Sequence, residues 1–130
     1  AENLRHQFSE LGEADPLPEA LVSGKRVYDS YCLPCHMENG KGAPGMNPPL
    51  VGTDWVLGDK ERIIRVLLQG LSGAVEINGD IYQNAMPSHA FLTDQQIADV
   101  LTFVRQHWGN DATAVGLEEV RKVRNSLPAN

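Results

Sequence analysis

Apolar side chains recur at intervals of three, four and seven residues through most of this chain, which is the spacing of amphipathic helices. The clearest helix begins at Thr93, which forms a predicted capping box with Gln96, and it ends at Gly109 and Asn110. Its apolar positions are Ile97, Val100, Leu101, Val104 and Trp108. Further helices are predicted from Ser23 to about Tyr31, from Asp59 through Leu68, and from Gly116 to about Ser126.

In one segment, apolar and polar residues alternate with a period of two, which is the pattern of a β-strand. Residues 75–82 (VEINGDIY) flank an Asn-Gly pair, which is the strongest short signal for a β-hairpin because both turn residues tolerate positive φ. Residues 37–58 hold five glycines and three prolines and are expected to form a long irregular loop, usually a functional feature in a small domain. The pattern as a whole predicts an all-α fold with one short β-hairpin.

The N-terminal residues give a weaker pattern. Leu4, Phe8 and Leu11 have helical spacing with Gly12 as a stop, so residues 1–12 fit either a helix or a frayed tail. Residues 13–22 contain two prolines and are predicted to be a linker.

Composition and charge narrow the possible partners. The chain has 130 residues, 42% of them hydrophobic, and a net charge of −6, which fits one globular domain. Nucleic acid is an improbable partner because phosphate binding needs a basic face. A basic protein surface complements this acidic domain better. No apolar stretch is long enough to span a membrane.

The two cysteines of the chain lie in the heptapeptide YCLPCHM, residues 31–37. A zinc site needs four ligands, and Cys32, Cys35, His36 and one distant histidine would lack the usual spacing. A thioredoxin-like redox pair expects a βαβ setting, which the helical pattern does not provide. In C-x-x-C-H, by contrast, two thiols add to the vinyl groups of one haem and the next residue offers imidazole to the iron. The motif therefore favours one covalently attached haem c, and zinc and a redox pair remain as alternatives.

A six-coordinate iron needs a second axial ligand. Met86 is the favoured candidate because Pro87 biases it towards an extended conformation on a stiff loop. Met37 is bonded directly to His36 and cannot reach the opposite face of a haem. The remaining candidates are Met46 in the glycine-rich loop, His89, expected near the surface, His107, expected to interact with the C-terminus of its helix, and His6 in the tail.

Taken together, these motifs resemble the monohaem class I c-type cytochromes over about residues 20–110. The residues that carry the resemblance are Gly24, Tyr28, the YCLPCH motif, Pro48-Pro49-Leu50, Met86-Pro87 and Phe103. It implies the class I cytochrome c fold, with Gly24 allowing the first helix to cross the last helix of residues 20–110 closely, against Phe103. It also implies that the carbonyl of Pro48 accepts a hydrogen bond from the ring of His36, and that His36 and Met86 bind the iron.

The resemblance also suggests the environment of the haem. Trp55, Tyr82, Arg62 and Arg65 are candidate partners for the haem propionates, although the two arginines equally fit a solvated helix face. The candidate pocket residues, each of which equally fits an ordinary core position, are Leu50, Trp55, Leu68, Leu71, Ile77, Tyr82 and Phe91.

The fine pattern of residues 70–110 is similar to bacterial cytochrome domains that serve quinoprotein dehydrogenases, copper nitrite reductases or haem–copper oxidases. The expected function is single-electron transfer between redox proteins through transient docking, in the periplasm or another extracytoplasmic space. The alternative is a haem enzyme or sensor, peroxidase-like or gas-binding, with a labile sixth ligand. The expected organisation is an N-terminal extension (1–19), a cytochrome domain (20–110) and an extra C-terminal helix (111–130).

Overall fold

A computed structural model describes residues 17–128 of the chain. The predicted N-terminal helix at residues 1–12 lies outside these residues. The elements in chain order are α1 (Glu19–Val27), a π-helical turn (Tyr28–Cys32), α2 (Leu33–His36), α3 (Asp54–Leu57), α4 (Lys60–Gln69), β1 (Val75–Ile77), β2 (Asp80–Tyr82), α5 (Asp94–Gln106) and α6 (Leu117–Ser126). The prediction of a mainly helical fold with one hairpin and a C-terminal helix is confirmed. None of the helices within residues 17–128 is long and apolar enough to cross a membrane.

The local signals in the sequence account for most of these elements. Asp59 caps α4 by accepting a hydrogen bond from the amide of Glu61 at 3.0 Å. The predicted capping box opens α5, with both of its hydrogen bonds present. The hairpin pairs β1 with β2 around Asn78, whose φ of 53° is the positive value that an Asn-Gly turn requires.

Three boundaries differ from the prediction. The first helix begins at Glu19 rather than Ser23, because Pro18 at φ −51° precedes a helix as readily as it ends one. The loop at residues 37–58 contains the short helix α3. Thr53 caps the start of this helix, because its hydroxyl accepts a hydrogen bond from the amide of Val56 at 3.2 Å. The long helix ends at Gln106, and Trp108 lies beyond it at φ 55°.

The core forms where α1 crosses α5, with α4 and α6 packed alongside. Gly24 makes the crossing possible, since a Cβ added there would lie 2.1 Å from the carbonyl oxygen of Asp99 and 2.8 Å from the Cβ of Phe103. The predicted close approach of the two helices at Gly24 is therefore confirmed. Ser23 contributes as a contact rather than as a cap, because its hydroxyl donates to the carboxylate of Asp99 at 2.8 Å.

Candidate functional site

The cysteine motif lies on a helix that changes its winding. The amide of Leu33 donates to the carbonyl of Tyr28, five residues earlier, which is the π-helical pattern. Pro34 follows at once and has no N–H to continue an α-helical ladder. Cys32 at the end of this turn is buried, whereas Cys35 on α2 is exposed, and both are free thiols.

His36 is fixed by one hydrogen bond. The side chain is buried, with 8% of its surface exposed, and its Nδ1 lies 3.0 Å from the carbonyl oxygen of Pro48. Because a carbonyl oxygen only accepts, Nδ1 carries the proton and Nε2 keeps a free lone pair. Burial lowers the pKa of His36, and the bond to Pro48 opposes that shift. The predicted hydrogen bond is present, and it selects Pro48 rather than Pro49.

Cys32 does not have the lowered pKa of a catalytic redox thiol, and residues 17–128 form no zinc site around the motif. Burial raises the pKa of Cys32 to about 11, with Cys35 adding to the shift. A catalytic redox thiol needs a lowered pKa, since the thiolate is the nucleophile. Within residues 17–128, no group of three or more His, Cys, Asp and Glu side chains is placed to hold a metal ion.

Two adjoining cavities open beside the motif. Cys32, His36, Pro48, Leu71 and Met86 line both of them. The first cavity is almost wholly apolar and extends between α4 and α5, while the second lies beside the hairpin. Both have the mainly apolar lining that is typical of cofactor pockets.

Met86 reaches this place because its backbone is paired with residues after α4. Its amide donates to the carbonyl of Leu71 at 2.8 Å, and the amide of Leu71 donates back at 2.9 Å. Gly70, at φ 77°, permits the approach, since a Cβ there would lie 2.5 Å from the carbonyl oxygen of Met86. The methionine predicted from Met86-Pro87 therefore lies in the wall that also holds His36.

The other predicted ligands separate into two groups. Met37 and Met46 are exposed and line neither cavity. His107 stacks on Phe103 at 4.6 Å between ring centroids, outside both cavities. His89 differs from the prediction: it is buried rather than near the surface, and it lines the second cavity. Its burial follows from backbone pairing, because its amide donates to the carbonyl of Leu67 at the end of α4.

The predicted pocket residues are mostly in place. Leu50, Trp55 and Ile77 line the first cavity, Tyr82 lines the second, and Leu71 lines both. Leu68 is buried in the core but faces neither cavity. Phe91 is the clear error, since it is 64% exposed and packs edge-on against Tyr31.

The two arginines proposed as propionate partners differ in their surroundings. The guanidinium of Arg62 lies 4.3 Å from the ring centroid of Trp55, and its Nε is buried with no hydrogen-bond partner within residues 17–128. Arg65 is on the exposed face of α4, 3.6 Å from Glu61. Of the two, only Arg62 packs against a residue that lines a cavity, Trp55, and its Nη2 donates to the carbonyl of Asp54 at 3.0 Å.

Two buried polar residues near the site were missed. The side chain of Asn110 donates to the carbonyls of Leu50 and Val104 at 3.0 and 2.9 Å, and accepts from the amide of Gly52 at 3.0 Å. Arg105, which is 3% exposed, donates to the carbonyls of Val56, Gly58 and Thr113. The sequence marked Asn110 only as a helix stop.

A third missed contact closes the loop after the motif. Burial raises the pKa of Tyr28, so its hydroxyl stays protonated and donates to the carbonyl of Met37 at 2.6 Å. The indole of Trp108 donates to the carbonyl of Glu38 at 2.9 Å. Together these bonds fix the chain where it leaves α2.

The residues at the cavities fit a haem c: two thiols on one helical turn, an imidazole with a free Nε2, a thioether, and apolar walls. A small helical protein with this arrangement is of the kind that carries a prosthetic group for electron transfer. The chain belongs to the cytochrome c family, whose family model, described as Cytochrome c, matches residues 21–108. The family consists of electron-transfer proteins with covalently bound haem c, and Cys32 and Cys35 stand in its C-x-x-C-H motif.

Curated relatives agree with this assignment. The chain is 39% identical over 114 residues to cytochrome c-552 of Thermus thermophilus, covering 81% of this chain and 76% of that protein. It is 32% identical over 125 residues to the cytochrome c subunit of the quinone alcohol dehydrogenase of Gluconobacter oxydans, covering 89% of this chain and 26% of that subunit. A match of 40% identity over 62 residues links it to subunit CcoP of the cbb3-type cytochrome c oxidase of Azospirillum brasilense, over 43% of this chain and 21% of the subunit. The predicted similarity to dehydrogenase and oxidase cytochromes is confirmed.

Proposed function

We propose that this chain is a single-electron carrier that holds one haem c through thioether bonds to Cys32 and Cys35, with His36 and Met86 as axial ligands. The observation that carries the proposal is the convergence of these residues on the same pair of cavities. Cys35 lines the second cavity, and the other three side chains line both. They come from chain segments 50 residues apart, brought together by the pairing of Met86 with Leu71.

When bound, haem c supplies an Fe(III)/Fe(II) couple that changes by one electron. The protein's part is to hold the ligands still and exclude water. Pro48 orients the His36 ring and increases its basicity as a ligand. The apolar side chains of Leu50, Ile77 and Leu71 disfavour the additional positive charge of the ferric site, as a neutral thioether also does, so both raise the potential.

Propionate binding is assigned within the same proposal. Arg62 packs against Trp55, which lines the first cavity, so this pair would hold one propionate. Tyr82, 5% exposed and lining the second cavity, is the other candidate because its hydroxyl is a hydrogen-bond donor. Arg65, with an exposed helix-face contact, is left as a surface residue.

The ligand assignment is tested by Met86→Ala in protein matured with haem. The parent protein should show a low-spin ferric spectrum with the weak long-wavelength sulfur-to-iron band. The variant should lose that band and become high-spin or take up an external ligand. Met46→Ala is the matched control, because Met46 is 57% exposed and should leave the spectrum unchanged. An unchanged oxidised spectrum in Met86→Ala would refute the assignment.

A haem enzyme or sensor with a labile sixth ligand is the second candidate, and one observation favours it. His89 is buried and lines the second cavity together with Met86, so a histidine is available as a distal acid–base group beside an open coordination position. This alternative predicts a high-spin ferric spectrum in the parent protein. A low-spin spectrum with the sulfur-to-iron band supports the carrier.

The proposed partners are redox proteins, a quinone-dependent dehydrogenase or a terminal oxidase among them, because the relatives include subunits of both. A copper nitrite reductase stays a prediction from the sequence. Since covalent haem attachment normally takes place outside the cytoplasm, the proposed location is the periplasm or another extracytoplasmic space.

Docking is proposed to be transient and guided by charge. With a net charge of −6, the chain should be attracted to a basic surface. The second-order rate of electron transfer to the physiological partner should therefore fall as ionic strength rises, measured by stopped-flow absorbance. A rate that is independent of salt would contradict charge-guided docking.

A further inference from the structure

The segment that follows the proposed methionine ligand, residues 87–92, is held from two sides. On one side it rests against the end of α4. The hydroxyl of Ser88 donates to the carbonyl of Leu68 at 2.6 Å, and the amide of His89 donates to the carbonyl of Leu67 at 2.7 Å. These bonds fix the first half of the segment.

The second half is held by the burial of Leu92 in the core and by one side chain from α6. The guanidinium of Arg124 donates to the carbonyl of Ala90 at 3.0 Å and to the carbonyl of Leu92 at 2.7 Å. Its Nε donates to the carboxylate of Asp94, in the first turn of α5, at 2.7 Å. One planar group thus binds two loop carbonyls and the helix that follows them, with charge-assisted bonds that are stronger than neutral ones.

Arg124 can serve as a support because α6 is itself anchored. Val120 and Val123 are buried in the same hydrophobic cluster as α4 and α5. The approach to α6 is fixed as well, since Thr102 and Val115 exchange two hydrogen bonds at 3.2 and 3.0 Å. Because α6 stays in place, a movement of residues 87–92 would break the hydrogen bonds between this segment and Arg124.

We propose that Arg124 is a positioning residue that restrains residues 87–92 and thereby keeps Met86 at the sixth coordination position. The inference rests on the proposed function, in which Met86 binds the iron. A shift of the chain beyond Pro87 away from the cavity would withdraw the sulfur of Met86, and Arg124 binds that chain only four and six residues after Met86. Loss of the guanidinium leaves fewer bonds to break, so an external ligand replaces Met86 more easily.

The test is a titration with imidazole of the ferric parent holoprotein and of its Arg124→Gln variant. Binding of imidazole is measured as the loss of the sulfur-to-iron band. The variant should bind imidazole about tenfold more tightly, which corresponds to ~1.4 kcal/mol. Hydrogen exchange of the peptide covering residues 86–92 should accelerate in the same variant. Lys122→Gln is the matched control, since it removes an equal charge from an exposed position of the same helix and should change neither measurement.

Arg124→Lys keeps the charge but cannot span two carbonyls and a carboxylate, so it should move both measurements in the same direction as Arg124→Gln. The proposal is overturned if the Arg124 variants match Lys122→Gln, or if Arg124→Lys equals the parent, because charge alone would then suffice. A fall in the free energy of unfolding with unchanged imidazole affinity would also overturn it. Failure of the ligand assignment itself is recognised separately, by an unchanged spectrum in Met86→Ala.

Discussion

Gly24→Ala tests whether the crossing of α1 and α5 is as close as the structure places it. In an isolated helix this change stabilises, since alanine exceeds glycine in helix propensity by about 1 kcal/mol. In the folded protein the new methyl group would lie 2.1 Å from the backbone oxygen of Asp99. Helix propensity and this steric clash change the free energy of unfolding in opposite directions, so the sign of the measured change shows which one dominates.

The size of the loss in stability depends on whether the atoms around the new methyl group can move away from it. The nearest atoms belong to the backbone and to the Cβ of Phe103, so no flexible side-chain end can rotate away. The helices would have to separate by roughly 1 Å in a closely packed core, and overpacking of this kind costs roughly 1–3 kcal/mol or more. Lengthening of the bond between Ser23 and Asp99 adds roughly 0.5–1.5 kcal/mol. After the propensity gain, a net loss of about 2 kcal/mol is expected.

The assay is guanidinium unfolding of the ferric holoprotein, followed by far-ultraviolet circular dichroism and extrapolated to water. Gly116→Ala is the matched control, because it makes the same chemical change at a helix N-cap where the nearest atom is a flexible carboxylate oxygen at 3.4 Å. That variant should lose less than about 1 kcal/mol. A Gly24→Ala protein as stable as the parent, or more stable, would refute the close crossing.

Two further substitutions test the buried polar residues. Asn110→Leu should lower the free energy of unfolding, measured in urea, by about 2–4 kcal/mol, because three backbone groups lose their hydrogen-bond partner. Asn125→Leu, on the exposed face of α6, should change it little, and equal effects of the two substitutions would contradict this expectation. Arg105→Met should lower the free energy of unfolding by about 2–3 kcal/mol, because three backbone carbonyls lose their donor. Arg121→Met, at a half-exposed position, should lower it less. If Arg105→Met were more stable than the parent protein, the apolar replacement would outweigh the lost hydrogen bonds.

The elements that residue patterns predicted correctly depend on neighbours in the chain, whereas the helix crossing at Gly24 followed from the family resemblance. A capping box, an Asn-Gly turn and the C-x-x-C-H motif each complete their contacts within a few residues. The errors arose where local signals were ambiguous. Pro18 was counted with the linker although it begins α1, and Trp108 continued the apolar periodicity of α5 although the backbone turns before it. Phe91 is apolar but exposed, which periodicity alone does not reveal.

The missed residues share one physical property: their partners are mostly backbone carbonyls, and several of these lie far away in the chain. Asn110 binds Leu50 across 60 residues, and Arg105 binds Val56 across 49. A carbonyl is present at every position, so no residue type marks which one will need a donor. These side chains satisfy loop and helix-end carbonyls that the irregular segment around the cavity leaves unpaired. A chain that encloses a large group with loops rather than strands needs such donors. This explains why Arg105 lies on α5, Asn110 just beyond it and Arg124 on α6, in or next to the helices nearest those loops.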